Sequence, residues 1–162
     1  MSLCLDGRGY DLEGRNRIAM EASSGQNAEK LDHTLNDTLK NTHSSISMLN
    51  AVVRRNPHAR FTTMTQLVTF SLQSVCKTLT LTTTQLDQHE PGKYVVQQCR
   101  SAQVPTSFEE RLNWFKVFEM ISYLIQKMKD QTRVLQDLSK ESSGVMDVDD
   151  SEFVCTILCN NF

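Results

Sequence analysis

The longest regular pattern of apolar residues in this chain runs from Ser107 to Ser139 and predicts an amphipathic helix. Apolar side chains recur there at steps of three or four residues, which places them on one helical face: Phe108, Leu112, Phe115, Phe118, Ile121, Ile125 and Met128. Ser107 and Glu110 have the S-x-x-E spacing of a helix N-terminus, and Gly144 follows as a C-terminal stop. We therefore expect a core helix over residues 107–140.

A narrower apolar stripe lies earlier in the chain and predicts a second helix, over residues 27–55. Its members follow a heptad-like spacing: Leu31, Leu35, Leu39, Thr42, Ile46, Leu49 and Val53. The other faces of this helix are polar, so a narrow contact in a bundle or a coiled coil is expected. Asn56 and Pro57 end the helix, because proline disfavours the helical conformation in the residue before it.

The segment between the two helices is ambiguous. A helical face fits its whole length through Met64, Leu67, Val68, Leu72, Val75, Leu79, Thr82 and Leu86. The run Thr78–Thr82 alternates like a strand, but it covers only a third of the segment, so we interpret residues 60–88 as a helix. His89–Gly92 predicts a turn. A strand at Tyr94–Val96 has no evident partner, which favours a short helix or an ordered loop.

The two ends of the chain differ from its middle. Residues 1–26 mix glycines and charges with few apolar groups, which predicts a flexible N-terminal tail. Residues 141–162 combine an acidic linker with an apolar C-terminal segment. We expect that apolar segment either to fold back onto the helices as a strand or helix, or to dock into a partner.

Length and composition complete the predicted architecture. A chain of 162 residues fits one domain, and its 6 glycines and 3 prolines are few for a fold that needs many special turns. We therefore predict an all-α fold with a helical bundle domain over residues 27–140 and flexible termini. Its arrangement is a three-helix up-down bundle, or a coiled-coil-like helical hairpin with a long third helix.

Charge and cysteine content limit the environment and the partners. The net charge of −2 is mixed in sign, which disfavours nucleic acid as a partner. The five cysteines are odd in number and have no C-x-x-C spacing, as in a reduced intracellular protein: Cys4, Cys76, Cys99, Cys155 and Cys159. The sequence shows neither a signal-peptide pattern nor an apolar run that could span a bilayer. A cytoplasmic or nuclear location, away from membranes, is expected.

The sequence has few residues whose spacing suggests catalysis or metal binding. The histidines stand in separate segments without the i, i+4 spacing of a helical zinc site: His33, His43, His58 and His89. No nucleotide-binding, hydrolase or metalloprotease motif occurs, so neither a cofactor, a metal, a small-molecule substrate nor an enzymatic activity is expected. A cysteine-dependent enzyme stays open as an alternative, since the fold could bring Cys76 or Cys99 close to His89.

Two short motifs lie near the C-terminus. The segment Val145, Met146, Asp147 and Val148, followed by acidic residues, resembles a SUMO-interacting motif, although a solvated acidic linker has the same composition. The last four residues resemble the C-a-a-X prenylation box, with polar residues at both middle positions, which implies lipidation at Cys159. A peripheral factor tethered to a membrane through Cys159 is therefore an alternative function.

The favoured function is that of a non-catalytic helical adaptor or scaffold subunit of an intracellular multiprotein complex. Its partners are expected to be other helical proteins, in a homo- or hetero-oligomer, because the apolar faces exceed what three helices can cover. The candidate partner-binding residues come from both stripes and from the C-terminal run: Leu31, Leu35, Leu39, Ile46, Leu49, Trp114, Val117, Tyr123, Leu124, Phe153, Val154 and Ile157.

Overall fold

A five-stranded sheet with helices on both faces forms the architecture of this protein, so the all-α prediction, with its helical bundle and coiled coil, is wrong. The computed structural model describes residues 6–11, 14–23 and 31–159, and the side chain of Leu31 lies outside that description. The elements are β1 (Gly7–Tyr10), β2 (Asn16–Ser23), α1 (Leu31–Arg55), α2 (Phe61–Met64), β3 (Thr69–Val75), β4 (Thr78–Leu86), β5 (Tyr94–Gln103), α3 (Trp114–Ser142) and α4 (Val154–Cys159).

The strands lie in sequence order across the sheet. Neighbours pair antiparallel, except β2 and β3, which run parallel with Ile18 opposite Phe70. Parallel neighbours need a crossover, and α1 supplies it. The Thr69 hydroxyl donates to the Ser45 carbonyl of α1, whereas Phe70 packs against Val117 of α3. Because Thr69 and Phe70 are adjacent in one strand, α1 and α3 cover opposite faces of the sheet.

A β-hairpin occupies the segment that was predicted to be a helix over residues 60–88, of which only α2 is helical. Val75 pairs with Thr78 across a two-residue turn in which Cys76 adopts a φ of 52°. Side chains then alternate between the faces of the sheet. Leucine and phenylalanine point towards α3 and threonine and serine towards α1, so the period is two rather than 3.6: Phe70, Leu72, Leu79 and Leu81 against Thr69, Ser71, Thr82 and Thr84.

The strand β5 also corrects a prediction, since Tyr94–Val96 has a partner in β4. Tyr94 pairs with Leu86, and the pairing continues to Gln103 opposite Thr78. The predicted turn between the two strands is confirmed. The Asp87 carboxylate holds that turn by accepting the backbone N–H groups of the two residues His89 and Glu90, at 2.7 and 3.1 Å.

The first two strands lie within the segment that was predicted to be a flexible N-terminal tail. Ala19 of β2 is fully buried, which ties this segment to the sheet. In β1, Gly9 lies opposite Ile18, and a Cβ atom at Gly9 would come within 3.1 Å of the Ile18 Cβ. The missing side chain at Gly9 is therefore what allows β1 to pair so closely with β2.

Both long helices occur within the predicted ranges or close to them; the predicted start of the first at residue 27 lies outside the described residues, and the second is shifted at both ends. The helix α1 ends at Arg55, directly before Asn56 and Pro57. The helix α3 begins at Trp114 rather than near residue 107. A short 3₁₀ turn precedes it, and the Glu110 carboxylate there accepts the Thr106 N–H at 3.0 Å. The helix ends at Ser142, two residues before Gly144, which adopts a φ of 75°.

Two apolar cores result from this arrangement. One lies between the sheet and the N-terminal half of α3: Phe70, Leu81, Ala102, Val117 and Met120. The other joins the C-terminal halves of α1 and α3 to α2 and α4, and it includes Leu49, Met64, Leu67, Leu138 and Val154. The C-terminal apolar run thus folds back onto the chain as α4, which was one of its two expected outcomes.

Gln131 links the two cores, and we predict that its replacement by leucine destabilises the fold. Its side chain accepts the Val68 N–H at 2.7 Å and donates to the Gln66 carbonyl at 3.2 Å. Gln131→Leu leaves these backbone groups without partners, so the free energy of unfolding should fall by about 1–3 kcal/mol in urea denaturation. The control Gln126→Leu changes an exposed glutamine and should stay within about 0.5 kcal/mol. Equal effects of the two substitutions would contradict this role.

Candidate functional site

The most prominent surface feature is a row of large apolar side chains on α3 and the segment before it. We call these six residues the α3 ridge; each is between 43 and 74% exposed: Phe108, Leu112, Phe115, Phe118, Ile121 and Ile125. Trp114, itself 41% exposed, stacks on Phe118 with a ring separation of 5.6 Å. Isolated exposed leucines are common in proteins, whereas a contiguous row of this size makes the ridge a candidate interaction surface.

The ridge reverses the predicted orientation of α3. Its residues were expected to form the core, whereas Val117 was a candidate partner-binding residue. In the structure Val117 and Met120 are each 3% exposed and face the sheet, and the ridge faces away from it. The N-terminal half of α3 is apolar over most of its circumference, so periodicity identifies the helix without identifying the face that the sheet covers.

Charged residues flank the ridge at both ends. Glu109, Glu110 and Arg111 lie beside its N-terminal end, where the Arg111 guanidinium lies 4.0 Å from the centroid of the Phe108 ring. Lys129 and Asp130 follow its C-terminal end. The Thr106 backbone N–H and the nearby Lys77 ammonium hold the pKa of the Glu110 carboxyl below its usual range. The Glu110 carboxylate is paired with the Lys77 ammonium at 3.6 Å, and both ends of the ridge carry charges of both signs.

A groove continues from the ridge, between the β1–β2 hairpin and α3. Its volume is about 430 Å³, and its lining includes Tyr10, Arg17, Ile125, Met128 and Leu135. Arg17 is 3% exposed, and burial lowers the pKa of its guanidinium, against the opposing charge of Asp11. Asp11, in the turn of the same hairpin, thus places a negative charge near this buried cation.

A second polar feature lies between α1 and the sheet. The buried face of α1 carries Asp37, Asn41 and Ser45, where the heptad-like stripe predicted apolar contacts. Asn41 donates to the Leu72 carbonyl at 3.3 Å, and the Lys40 ammonium donates to Asp37 at 2.8 Å. This layer is polar because α1 packs on the threonine and serine face of the strands.

Two carboxyl groups in this layer have opposite pKa shifts. Burial raises the pKa of the Glu21 carboxyl, and the charges of Asp6 and Asp37 raise it further while Lys40 opposes them. Among the described residues, the Glu21 Oε1 atom has no hydrogen-bond partner. Burial would also raise the pKa of Asp37, but hydrogen bonds from Lys40 and Ser23 hold that pKa below its usual range.

No catalytic or metal-binding arrangement is evident among the residues that the structure describes. No three histidine, cysteine or acidic side chains there are grouped so as to hold a metal ion. The Cys99 thiol lies 3.2 Å from the Thr83 hydroxyl, and no described histidine hydrogen-bonds a cysteine. None of the helices in the described ranges combines the length and hydropathy needed to cross a bilayer.

The predicted partner-binding residues are distributed over several environments. Those that are exposed are Leu35, Leu39 and Trp114, and those that are half-buried are Ile46, Tyr123, Leu124, Phe153 and Ile157. Leu49, Val117 and Val154 are buried in the cores, and the side chain of Leu31 is outside the described part. The structure therefore does not bring these residues together on one surface. It unites instead the ridge residues, which the sequence assigned to the core.

The C-terminal motifs are attached to the end of α3. In the segment that resembles a SUMO-interacting motif, Val145, Met146 and Asp147 are exposed and Val148 is half-buried. The backbone N–H groups of Val145 and Met146 both donate to the Lys140 carbonyl. Cys159, the predicted lipidation site, is exposed at the end of α4, and residues 160–162 lie outside the described part.

No protein-family model matches this chain, and no curated protein or solved structure is significantly similar to it. The candidate site therefore rests on the geometry and chemistry of its own residues.

We predict that truncation destabilises the fold much more at Val117 than at Phe118, although the two residues are adjacent in α3. Val117→Ala removes a buried side chain and should lower the free energy of unfolding by about 1–3 kcal/mol. Phe118→Ala removes a side chain that is 57% exposed and should change that free energy by less than about 1 kcal/mol. Denaturation of dilute protein measures both values, and a larger loss at Phe118 would show that the assigned face is wrong.

The two shifted carboxyl groups predict opposite effects of amide substitution. Because the folded state raises the pKa of Glu21, its ionised form costs stability, and this cost is absent below the unfolded pKa and complete above the folded pKa. Glu21→Gln should therefore raise the free energy of unfolding at pH 7, and raise it less at pH 4. Asp37→Asn should instead destabilise it at pH 7, because the lowered pKa of Asp37 means that its ionised form stabilises the fold. Urea denaturation at both pH values tests the pair, and a destabilising Glu21→Gln would refute the assignment.

Proposed function

We propose that this chain is a non-catalytic subunit of an intracellular protein assembly and that it binds a helix of another chain along the α3 ridge. The observation that carries the proposal is the exposure of the six ridge residues. Aromatic residues of this size bury roughly 150–250 Å² each, so the ridge and Trp114 together offer on the order of 800 Å². One partner contributes about that area to an interface of standard size.

The spacing of the ridge supports a helix as the bound element. Phe115, Phe118, Ile121 and Ile125 recur at steps of three and four residues, which is the row of side chains that packs into the groove of a second helix. The residues beside this row are polar, as at the rim of an interface: Lys116, Glu119, Ser122 and Gln126. An apolar core with a polar rim on a rigid helix matches helix-mediated recognition.

The exposed edge of the sheet is a weaker candidate for the interface. The outer strand β5 could in principle pair with an added strand. However, its exposed side chains are mostly polar, and a bulge at Cys99 interrupts its pairing with β4. Bulges and polar side chains are devices by which proteins protect sheet edges from pairing. We therefore assign the binding function to α3.

The intracellular and non-catalytic parts of the proposal rest on the cysteines. Four described cysteines are free thiols, at Cys76, Cys99, Cys155 and Cys159. Unpaired thiols of this number are usual in a reducing compartment. In the described part of the chain none of them is joined to a histidine that could activate it.

We predict that a photo-crosslinking residue at position 118 labels a second chain in cells. With p-benzoylphenylalanine in place of Phe118, irradiation should give one discrete crosslinked species. The peptide of the second chain that is linked to position 118 should come from a helix of that chain. The matched control places the same residue at His43, which is exposed on α1 on the opposite side of the sheet.

Adding Phe115→Glu to the position-118 protein should abolish the crosslinked species, because a carboxylate in the ridge opposes apolar burial. The proposal fails if position 118 gives no crosslinked chain, or the same products as position 43.

A further inference from the structure

We infer that the peptide bond between Asp150 and Ser151, in the loop that joins α3 to α4, is a cleavage site for an endopeptidase of the caspase class. Such enzymes require aspartate before the cut bond, favour a second aspartate three positions earlier and accept a small residue after the bond. Asp147, Asp150 and Ser151 supply these three side chains, and no other aspartate in the sequence is followed by a second one at this spacing. The inference does not depend on the ridge.

The recognition sequence lies at the surface, outside the helices and strands. The three residues Asp147, Asp150 and Ser151 are exposed, and Val148 is half-buried. An endopeptidase binds its substrate as an extended segment, largely through backbone hydrogen bonds. A segment inside a helix or a sheet cannot take that form without unfolding, whereas an exposed loop can. The position of the sequence in the fold therefore suits cleavage of the folded protein.

The backbone of this loop also has few internal hydrogen bonds. In the part of the chain that the structure describes, the N–H groups of Asp147, Val148 and Asp149 donate no backbone hydrogen bond. A cavity of about 370 Å³ borders the loop, and its lining includes Met146, Val148 and His58. Neither apolar core includes a residue of the segment 145–150. The loop can therefore move into the groove of a protease while both cores stay intact.

One short turn protects the bond that is cut. The Glu152 N–H donates to the Asp149 carbonyl at 2.8 Å. The Asp149 carboxylate accepts the Ser151 N–H at 2.9 Å and the Ser151 hydroxyl at 2.6 Å. These groups lie at the surface, where water replaces the lost hydrogen bonds when the turn opens. Opening of the turn is a local event, and we expect it to limit the rate of cleavage.

Cleavage would separate α4 from the rest of the chain. Val154 of α4 is fully buried in the core that joins α1, α2 and α3, and Ile157 and Leu158 pack against that core. The Val154 N–H donates to the Ala59 carbonyl at 2.9 Å. After hydrolysis, in which water supplies the new carboxylate of Asp150 and the new amino group of residue 151, only noncovalent contacts of this kind hold α4.

Loss of the covalent connection favours release of α4. A short tether keeps a segment at an effective concentration in the millimolar range, whereas a free peptide in dilute protein is on the order of a thousandfold more dilute. A free peptide this short also loses its helical order in water. Its departure uncovers the part of the core that Leu49 and Leu138 share with Val154. The cut thus converts a closed core into an exposed apolar surface.

Digestion of the purified full chain with an executioner caspase tests the site. Intact mass should show one cut, which gives residues 1–150 and 151–162. Asp150→Ala should slow this cut by at least about a hundredfold, because a pocket built to bind a carboxylate rejects a side chain without one. The matched control Asp149→Ala removes the same charge and also the acceptor of the turn, so it should be cut at least as fast as the unmodified chain.

Three results of the digestion would overturn the inference. They are an unmodified chain that stays uncut, a cut that Asp150→Ala does not slow, and Asp149→Ala being as resistant as Asp150→Ala. A synthetic peptide of residues 143–155 shows whether the folded chain presents the site. The peptide should be cut within about tenfold of the rate of the folded chain, because only the short turn has to open. A peptide cut a thousandfold faster would mean that the fold hides the bond, which also contradicts the inference.

Gel filtration of the digest tests the release of α4. The peptide 151–162 should elute apart from the large fragment, and that fragment should bind an apolar dye more strongly and unfold at a lower temperature than the intact chain. Asp150→Ala treated with the same protease is the control and should behave like undigested protein. A peptide that stays bound after cleavage, with an unchanged unfolding temperature, refutes the release.

Discussion

The parallel pairing of β2 with β3 is the constraint on which the rest of this structure depends. It requires a crossover, and α1 fills one face of the sheet by providing it. The other face is left to α3. Five strands at a spacing of about 4.8 Å span roughly 19 Å, whereas a helix is only about 10 Å wide. One helix cannot cover that face, so the topology itself leaves apolar surface beside α3, in the groove against β1 and β2.

The long helices could be predicted from the sequence, and the sheet could not. The helices α1 and α3 have apolar positions at helical spacing over many turns, which few other structures produce. The hairpin of β3 and β4 also fits a helical template, because threonine at Thr78, Thr80 and Thr82 is compatible with both the helical spacing and the alternation of a strand. The stiffness of β-branched side chains favours strands, and here that local preference decided the structure. A partner strand for Tyr94 could be predicted only if the preceding segment, β4, was first assigned to a strand.

The sequence also could not predict which face of each helix is buried, and the reason is physical. Helix α1 buries Asp37, Asn41 and Ser45 and exposes Leu35 and Leu39, because the strands present it with hydroxyl and amide groups. An apolar stripe therefore does not identify the buried side of a helix whose neighbour is polar. Helix α3 carries two apolar faces, and the choice between them depends on the sheet. The excess of apolar residues on α3 indicates that some of them are exposed, but the sequence does not show which face they occupy.

If the ridge binds another chain as proposed, its exposure has a consequence for the lifetime of the protein in a cell. A newly made copy would show a row of phenylalanine and isoleucine side chains until the other chain covers it. Chaperones and proteases recognise such surface, so unassembled and assembled copies would be removed at different rates. Steady-state abundance would then be set by how quickly the ridge is covered as well as by synthesis. Quality control would in this way adjust the supply of the subunit to the supply of its partner.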